Sequence, residues 1–444
     1  MTTTSFTTSR QSFVRIILMT AFAIVFFSSC KKDRDNHSGK PSSHNAEVLD
    51  KWMTLQLRLM RNATGIPNQG FGRHFAYSGV AALQSLSPGL SAHAAWSDRW
   101  NGLSGLPVAT KSKDYYYPAN VNAAMAAINK ALFPNASSTD KAAIDSLEAA
   151  LNAGFASTQS PAILTTSANF GKAVAAAVFN WAETDGYKNA GAPYTPPTGA
   201  GRWVPTAPTF APAATPYWGA NRTIISGSIE GTQVAAPPAY STDPASPFYQ
   251  MVKQVYDASQ TLTDDQKAMA LFWRDVPGAT SPGHWLSILQ QAVRQKSASL
   301  DKAALAYALT GAAINDGLIS CFKAKYQHNL VRPITYIRDV MGHGTWASFL
   351  TTPAHPEYVS AHSNLSSAAA AVLEKLFGNI GSFTDHTYDY LGFAPRTYAS
   401  FTAIGEEAGQ SRLYAGIHYQ ASIVAGFTQG RKVAANIFRN QIGQ

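Results

Sequence analysis

The sequence predicts an all-α protein, and three observations predict it. Apolar residues recur at helical spacing through most of the chain, period-two alternation of Val, Ile and Thr is almost absent, and one long proline-rich stretch interrupts the helical pattern. Hydrophobic residues make up 45% of the 444 positions and charged residues 14%, which excludes a disordered chain and leaves enough apolar surface for a large core.

The helical reading starts from particular faces. After Phe170, the residues Val174, Ala177, Val178 and Trp181 fall on one side of a helix that Asp185-Gly186 closes. Similar patterns predict helices over 46–62, 74–86, 120–133, 139–154, 248–259, 264–274, 284–297, 301–325, 361–377, 396–414 and 419–440. Between Tyr187 and Pro247 lie 11 of the 24 prolines together with Trp203, Phe210, Tyr217 and Trp218. A flexible linker is rich in Gly and Ser and poor in aromatics, so this stretch is expected to be an ordered strap held by aromatic anchors. The expected organisation is a leader over 1–30, a polar tether over 31–45, an N-terminal helical half over 46–186, the strap over 187–247 and a C-terminal helical domain over 248–444. Two packed helical bundles are expected, with the active site in the C-terminal one.

The leader follows from residue order. Arg10 and Arg15 precede an apolar run from Ile16 to Phe27, which is too short to span a bilayer but suits a signal peptide. Ser28-Ser29-Cys30 then resembles the lipobox of exported bacterial lipoproteins, with Phe27 where Leu is usual. Cys30 is the expected lipidation site, and the protein is expected to be exported and anchored to a membrane through that lipid only. No run of 18 or more apolar residues follows. The remaining cysteine, Cys321, sits in an apolar helical stretch and is expected to be buried and inert. Arg10, Arg15, Lys31, Lys32, Arg34 and Lys40, less Asp33 and Asp35, supply +4 of the formal +9. The body is therefore only mildly basic, without the clustered Lys and Arg of a nucleic-acid surface.

Chemistry concentrates in the last 120 residues. Lys325 and Arg332-Pro333 bring two donor-only cations, and Arg presents a planar fork suited to an oxyanion. Pro333 favours extended backbone at Arg332, so the helix carrying Lys325 is expected to stop before it. In His355-Pro356-Glu357-Tyr358-Val359-Ser360-Ala361-His362, Ser360 is a natural N-cap, and the unpaired amides of the first helical turn form an anion site. His362 beside them is suited to proton transfer. In Ser411-Arg412 to His418, Arg412 and His418 are six apart and not on one helical face, but Gly416 allows a break that brings them together. A zinc reading finds no HExxH pair and no Cys/His spacing of a structural site.

Taken in order, K-x6-RP, Ser-x-His and SR-x5-H resemble the three-part signature of the type 2 phosphatidic acid phosphatase and vanadium-dependent haloperoxidase superfamily. Phe272-Trp273-Arg274-Asp275, Pro282-Gly283-His284-Trp285 and the run from Lys325 to Arg338 resemble its bacterial haloperoxidase-like branch, so the likeness extends over about 46–444. It implies that Lys325, Arg332 and Arg412 hold the equatorial oxygens of vanadate, or of phosphate in the same site. Ser360 and the amide of Ala361 would add hydrogen bonds. His418 would ligate vanadium or attack phosphorus, and His362 would be the acid–base at the opposite apex. The likeness also implies that Asp275 orients Arg412 and that His355 tunes halide preference. Two residues depart from the pattern: Ala361 replaces a Gly, and Ser422 replaces the Asp four residues after the last His. An Asp there would fix the His tautomer and raise its basicity; Ser brings no charge.

The activity implied is oxidation of halide by hydrogen peroxide, with phosphate ester hydrolysis through a phosphohistidine as the alternative. A non-catalytic surface lipoprotein that binds phosphate or vanadate is a third reading, motivated by Ser422. One cage serves both chemistries because vanadate stably adopts the five-coordinate geometry of phosphoryl transfer.

Overall fold

A computed structural model describes residues 39–91 and 94–439; the leader and Cys30 lie outside the described residues. The elements run α1 (Glu47–Asn62), α2 (Asn68–Ser85), α3 (Tyr117–Leu132), α4 (Ser138–Ala156), α5 (Pro161–Ala182), α6 (Pro247–Gln260), α7 (Asp264–Phe272), α8 (Ser281–Gln295), α9 (Leu300–His328), α10 (Pro333–Asp339), α11 (Ala361–Phe377), β1 (Phe383–Asp385), β2 (Arg396–Tyr398), α12 (Phe401–Tyr414) and α13 (Gln420–Phe438). The fold is all-α apart from the antiparallel pair β1–β2, in register Phe383 to Tyr398 and Asp385 to Arg396.

The two helical bundles meet along α9, whose 29 residues make it about 43 Å long at ~1.5 Å per residue. One side packs on α2 and the other on α11 and α13. The contact with α2 is backbone on backbone. A Cβ at Gly79 would stand 2.7 Å from Ala308 Cα, and one at Gly311 would stand 2.7 Å from Ala76 Cα. Both α5 and α9 are long and apolar enough to cross a membrane, but 94% of the α9 window is buried inside the protein, as in a core helix. Cys321 lies on α9, buried, with its thiol pushed up to about 11 by burial.

The stretch between α5 and α6 is ordered and fastened to α9. Buried Asp316 accepts from Ile224 N at 2.7 Å, Ile225 N at 3.0 Å and Ser228 Oγ at 2.7 Å. Trp203 and Trp218 are fully buried anchors; Phe210 and Tyr217, expected to act likewise, are largely exposed. The strap also touches the segments that carry the candidate site. Trp203 N donates to Asn329 O, Ala214 N to Ala354 O, and Tyr358 Oη to Ala235 O.

Two local expectations are corrected. Residues 396–398, expected at the start of a helix, form β2, because they pair with β1 and Ser400 caps the next helix by accepting from Ala403 N. A short helix, α10, follows Arg332, where Pro333 at its first position suits a helix start.

Candidate active site

Three chain breaks bring the site together. The last turn of α9 carries Lys325, and Asn329 ends the helix in the left-handed conformation (φ 51°). Arg332 is extended (ψ 152°) before Pro333, as expected from sequence. The segment from His355 to Val359 feeds α11, where Ser360 Oγ accepts from Ser363 N and leaves the Ala361 and His362 amides at the helix start. After α12, Gly416 takes φ +75° and turns the chain so that His418 precedes the first turn of α13.

His418 is held by a residue to which the sequence reading gave no role. Its Nδ1 lies 2.7 Å from Glu357 Oε1, with both side chains buried, and Tyr419 N donates to the same oxygen at 3.0 Å. A carboxylate accepts, so Nδ1 carries the proton and Nε2 keeps its lone pair. Arg332 Nη1 stands 3.4 Å from that Nε2. Burial, then the nearby Arg332 and Lys325 charges, hold His418 well below the usual imidazole range, so the ring is neutral. Burial raises Glu357 to about 7, against the pull of Lys325 and Arg332.

Ser422 does not take the place of the family's Asp as a partner of His418. Its carbonyl receives Ser360 N at 3.2 Å, while its hydroxyl makes no close hydrogen bond and lies near enough to Glu357 to oppose the rise in that carboxyl's pKa. Glu357 reaches His418 from the irregular segment before α11 and also accepts from the backbone N of Tyr419. The sequence did carry a signal: Glu357 is the one acidic residue inside the second motif, and the third motif lacks its Asp.

His362 is positioned from the other side. Its Nε2 stands 2.9 Å from Trp273 O and 2.9 Å from Ser281 Oγ. A carbonyl can only accept, so Nε2 bears the proton and Nδ1 keeps the free lone pair. Burial and then Arg412 lower His362 to about 4. Asp275, expected against Arg412, bonds elsewhere. Its Oδ1 takes Ser281 N at 2.7 Å and Ser281 Oγ at 3.0 Å, and its Oδ2 lies 3.7 Å from His362 Nε2. Asp275 sits in the turn before α8 and receives the amide of that helix's first residue, which aims it at His362. Its charge acts on Arg412 only through space, opposing the lowering that burial causes.

A cavity of about 440 Å3 is lined by Asp275, His355, Ala361, His362, Arg412 and His418, with Arg274 among the other lining residues. Lys325, Arg332 and Ser360 stand behind this wall. Lys325 Nζ donates to Pro356 O at 3.0 Å and Glu357 O at 2.8 Å. Arg332 donates from Nε to His355 O at 2.8 Å and from Nη1 to Ile417 O at 2.8 Å, and its Nη2 lies 3.0 Å from His355 Nδ1. Arg412 Nη2 donates to Ala270 O at 3.2 Å. Burial lowers Lys325 to about 7 and both arginines to about 10.

Lys325, Arg332 and Arg412 are thus buried with carbonyl contacts and, among the described residues, no carboxylate ion pair. Buried cations left unpaired are costly, so the arrangement fits an anionic ligand. Together with a neutral His418 presenting Nε2, the donor set suits a tetrahedral oxyanion bound through one histidine.

A crystal structure described as that of the first bacterial vanadium-dependent iodoperoxidase is 31% identical, with a TM-score of 0.76, over 89% of this chain and 96% of that one. The chain belongs to the vanadium haloperoxidase family. Residues 305–442 match the model of the VCPO second helical-bundle domain, which spans all three motifs. A holo-type bacterial vanadium-dependent chloroperoxidase shares the fold at 18% identity, with a TM-score of 0.62 over 86% of this chain and 94% of that one. No curated protein matches the chain.

Proposed function

We propose that the chain oxidises halide with hydrogen peroxide, using vanadate held by His418. The observation that carries the reading is the neutral His418, whose Nδ1 is committed to Glu357 at 2.7 Å and whose Nε2 faces Arg332. Lys325, Arg332 and Arg412 are the residues to hold the oxyanion oxygens, with the amides at Ala361 and His362 completing the cage. Bound vanadate would supply the electrophilic centre that activates peroxide. The chain's own part is to fix that anion, exclude water and move protons. His362, with Nδ1 free and Nε2 tied to Trp273 O, is the group to take a proton from entering peroxide and return it. The reaction balances as halide, peroxide and one proton giving hypohalous acid and water. Iodide is the first halide to test, because a relative at 31% identity is an iodoperoxidase.

Glu357 favours a second reading as well. A His–carboxylate pair also activates a histidine to attack phosphorus, so phosphate ester hydrolysis at the same site stands as the alternative. The non-catalytic reading loses its motive, since the carboxylate missing at Ser422 is supplied from Glu357. An exported, lipid-anchored location through Cys30 belongs to the same proposal, and the intact mass of the mature protein tests it. The deciding experiment for function assays the metal-free protein with and without orthovanadate. One arm uses peroxide, iodide or bromide and a halogen acceptor, and the other a phosphate ester.

A further inference from the structure

Arg274 follows α7 and lines the same cavity as His362, Arg412 and His418. It differs from the cage cations in what holds it. Arg332 and Arg412 are fixed by backbone carbonyls. The guanidinium of Arg274 makes no hydrogen bond or ion pair among the described residues, and its Nε is buried without a partner. Asp275, next in sequence, is spent on Ser281 and stands 3.7 Å from His362. The ring of Phe393 lies 5.5 Å from Arg274 Cζ and covers one face, leaving the N–H edge without a protein partner. Arg274 is half-buried and lines the cavity, so the N–H groups beyond its Nε are open to it, and an edge without a protein partner is suited to an acceptor that comes and goes.

We propose that Arg274 holds a second, monovalent anion in the active-site cavity, apart from the oxyanion cage, and that this anion is the halide. The proposal rests on the halide-oxidation reading and says where that substrate waits. Space allows it: about 440 Å3 far exceeds one small oxyanion, given roughly 30 Å3 per water molecule in the liquid. Chemistry selects the ligand. Val276, Pro282 and Leu350 share the cavity wall with polar residues such as Asn68, Gln69 and Thr351, and the apolar part of that wall penalises a strongly hydrated anion. Guanidinium is itself weakly hydrated. Such an edge prefers iodide or bromide, which release water readily, to a carboxylate or phosphate. The cage cations serve the oxyanion, and a separate cation lets both anions occupy one cavity. In the step that follows, the halide gives an electron pair to one peroxide oxygen and the O–O bond breaks. The halogen loses two electrons, and the departing oxygen is protonated to water.

The test uses the metal-free protein, its Arg274→Met and Arg274→Lys variants, and iodide located by anomalous diffraction. The expected result is iodide against Arg274 in the native protein and its loss in Arg274→Met, with phosphate affinity unchanged in both. In the vanadate-loaded enzyme, Arg274→Met should raise the iodide KM about 10- to 100-fold, the size of one charge-assisted contact, with a smaller change in kcat. Arg274→Lys should recover part of the loss. Equal iodide occupancy in Arg274→Met, iodide found only among Lys325, Arg332 and Arg412, or acetate displacing iodide at matched concentration would each overturn the proposal. Iodide held at Arg274 in a protein that oxidises no halide would keep the subsite and defeat the functional reading instead.

Discussion

Glu357 Oε1 sits 2.7 Å from His418 Nδ1, with both side chains buried, and this contact sets which nitrogen of His418 faces the site. The carboxylate accepts, so Nδ1 is the protonated atom and Nε2 the free one. Glu357→Gln can present its amide N–H to Nδ1 and select the opposite tautomer. Oxyanion retention and turnover should fall about 10- to 100-fold, the usual effect of losing such a supporting contact. Imidazole 15N shifts should report the tautomer change directly. Unchanged shifts in a folded Glu357→Gln protein would remove Glu357 from this role.

Ser422→Asp should be harmful. Sequence alone suggested that Asp at this position restores the family's charged partner. The structure places the Ser422 hydroxyl, fully buried, beside Glu357. A second carboxylate there would face the first in a water-poor setting, and one of the two would have to stay protonated. We expect lower stability and weaker phosphate binding in Ser422→Asp, read by urea unfolding and calorimetry. Higher phosphate affinity in the variant would show that Ser422, and not Glu357, occupies the position that governs His418.

Anion affinity should depend on Lys325 near neutral pH. Burial lowers this ammonium to about 7, so its charge is present below that value and lost as pH rises through it. Phosphate binding should therefore weaken above about pH 7 relative to Lys325→Arg, whose guanidinium stays charged. Phosphate's own ionisation is common to both proteins and cancels in the comparison. Parallel binding profiles from pH 6 to 9 would contradict the assignment.

The strap should fail if its anchor is removed. Asp316→Ala leaves the amides of Ile224 and Ile225 and the Ser228 hydroxyl without an acceptor. A cost of about 3 kcal/mol or more is expected, since each buried unsatisfied donor costs about 1–3 kcal/mol. Hydrogen exchange at Ile224 and Ile225 should accelerate, and phosphate binding should weaken because the strap is tied to Ala354 and Tyr358. Retained protection at those amides would show that Trp203 and Trp218 hold the strap without Asp316.

Local chemistry was legible where one residue decides the backbone. Pro333 set the extended turn at Arg332, Ser360 capped α11, and Gly416 supplied the positive φ that frees His418 from α12. α11 was legible from an apolar face through Leu365, Ala368 and Val372, and α9 from a long Ala- and Leu-rich run without a proline, since it is buried nearly all round. Pairings between distant residues were not legible. Glu357 to His418 joins positions 61 apart, and Trp273 O to His362 joins positions 89 apart. No spacing within a helix encodes either. The pairing of Asp275 with Arg412 came from the family resemblance; the observed partner, Ser281, is six residues away and depends on how the turn before α8 folds back. Phe210 and Tyr217 carry no periodic signal, so their exposure could not be told from the burial of Trp203 and Trp218.

The central claim is that His418 holds vanadate and that His362 moves protons for peroxide. Its most direct test is vanadate-dependent iodide oxidation by the native protein, His418→Ala and His362→Ala, with bound vanadium measured in each. The native protein should gain activity only when orthovanadate is added. His418→Ala should lose both vanadium and activity. His362→Ala should retain vanadium while turnover drops about 100- to 10,000-fold, the range for a lost acid–base group. Vanadium retained in full by His418→Ala, or iodide oxidation by native protein that is indifferent to orthovanadate, would contradict the account.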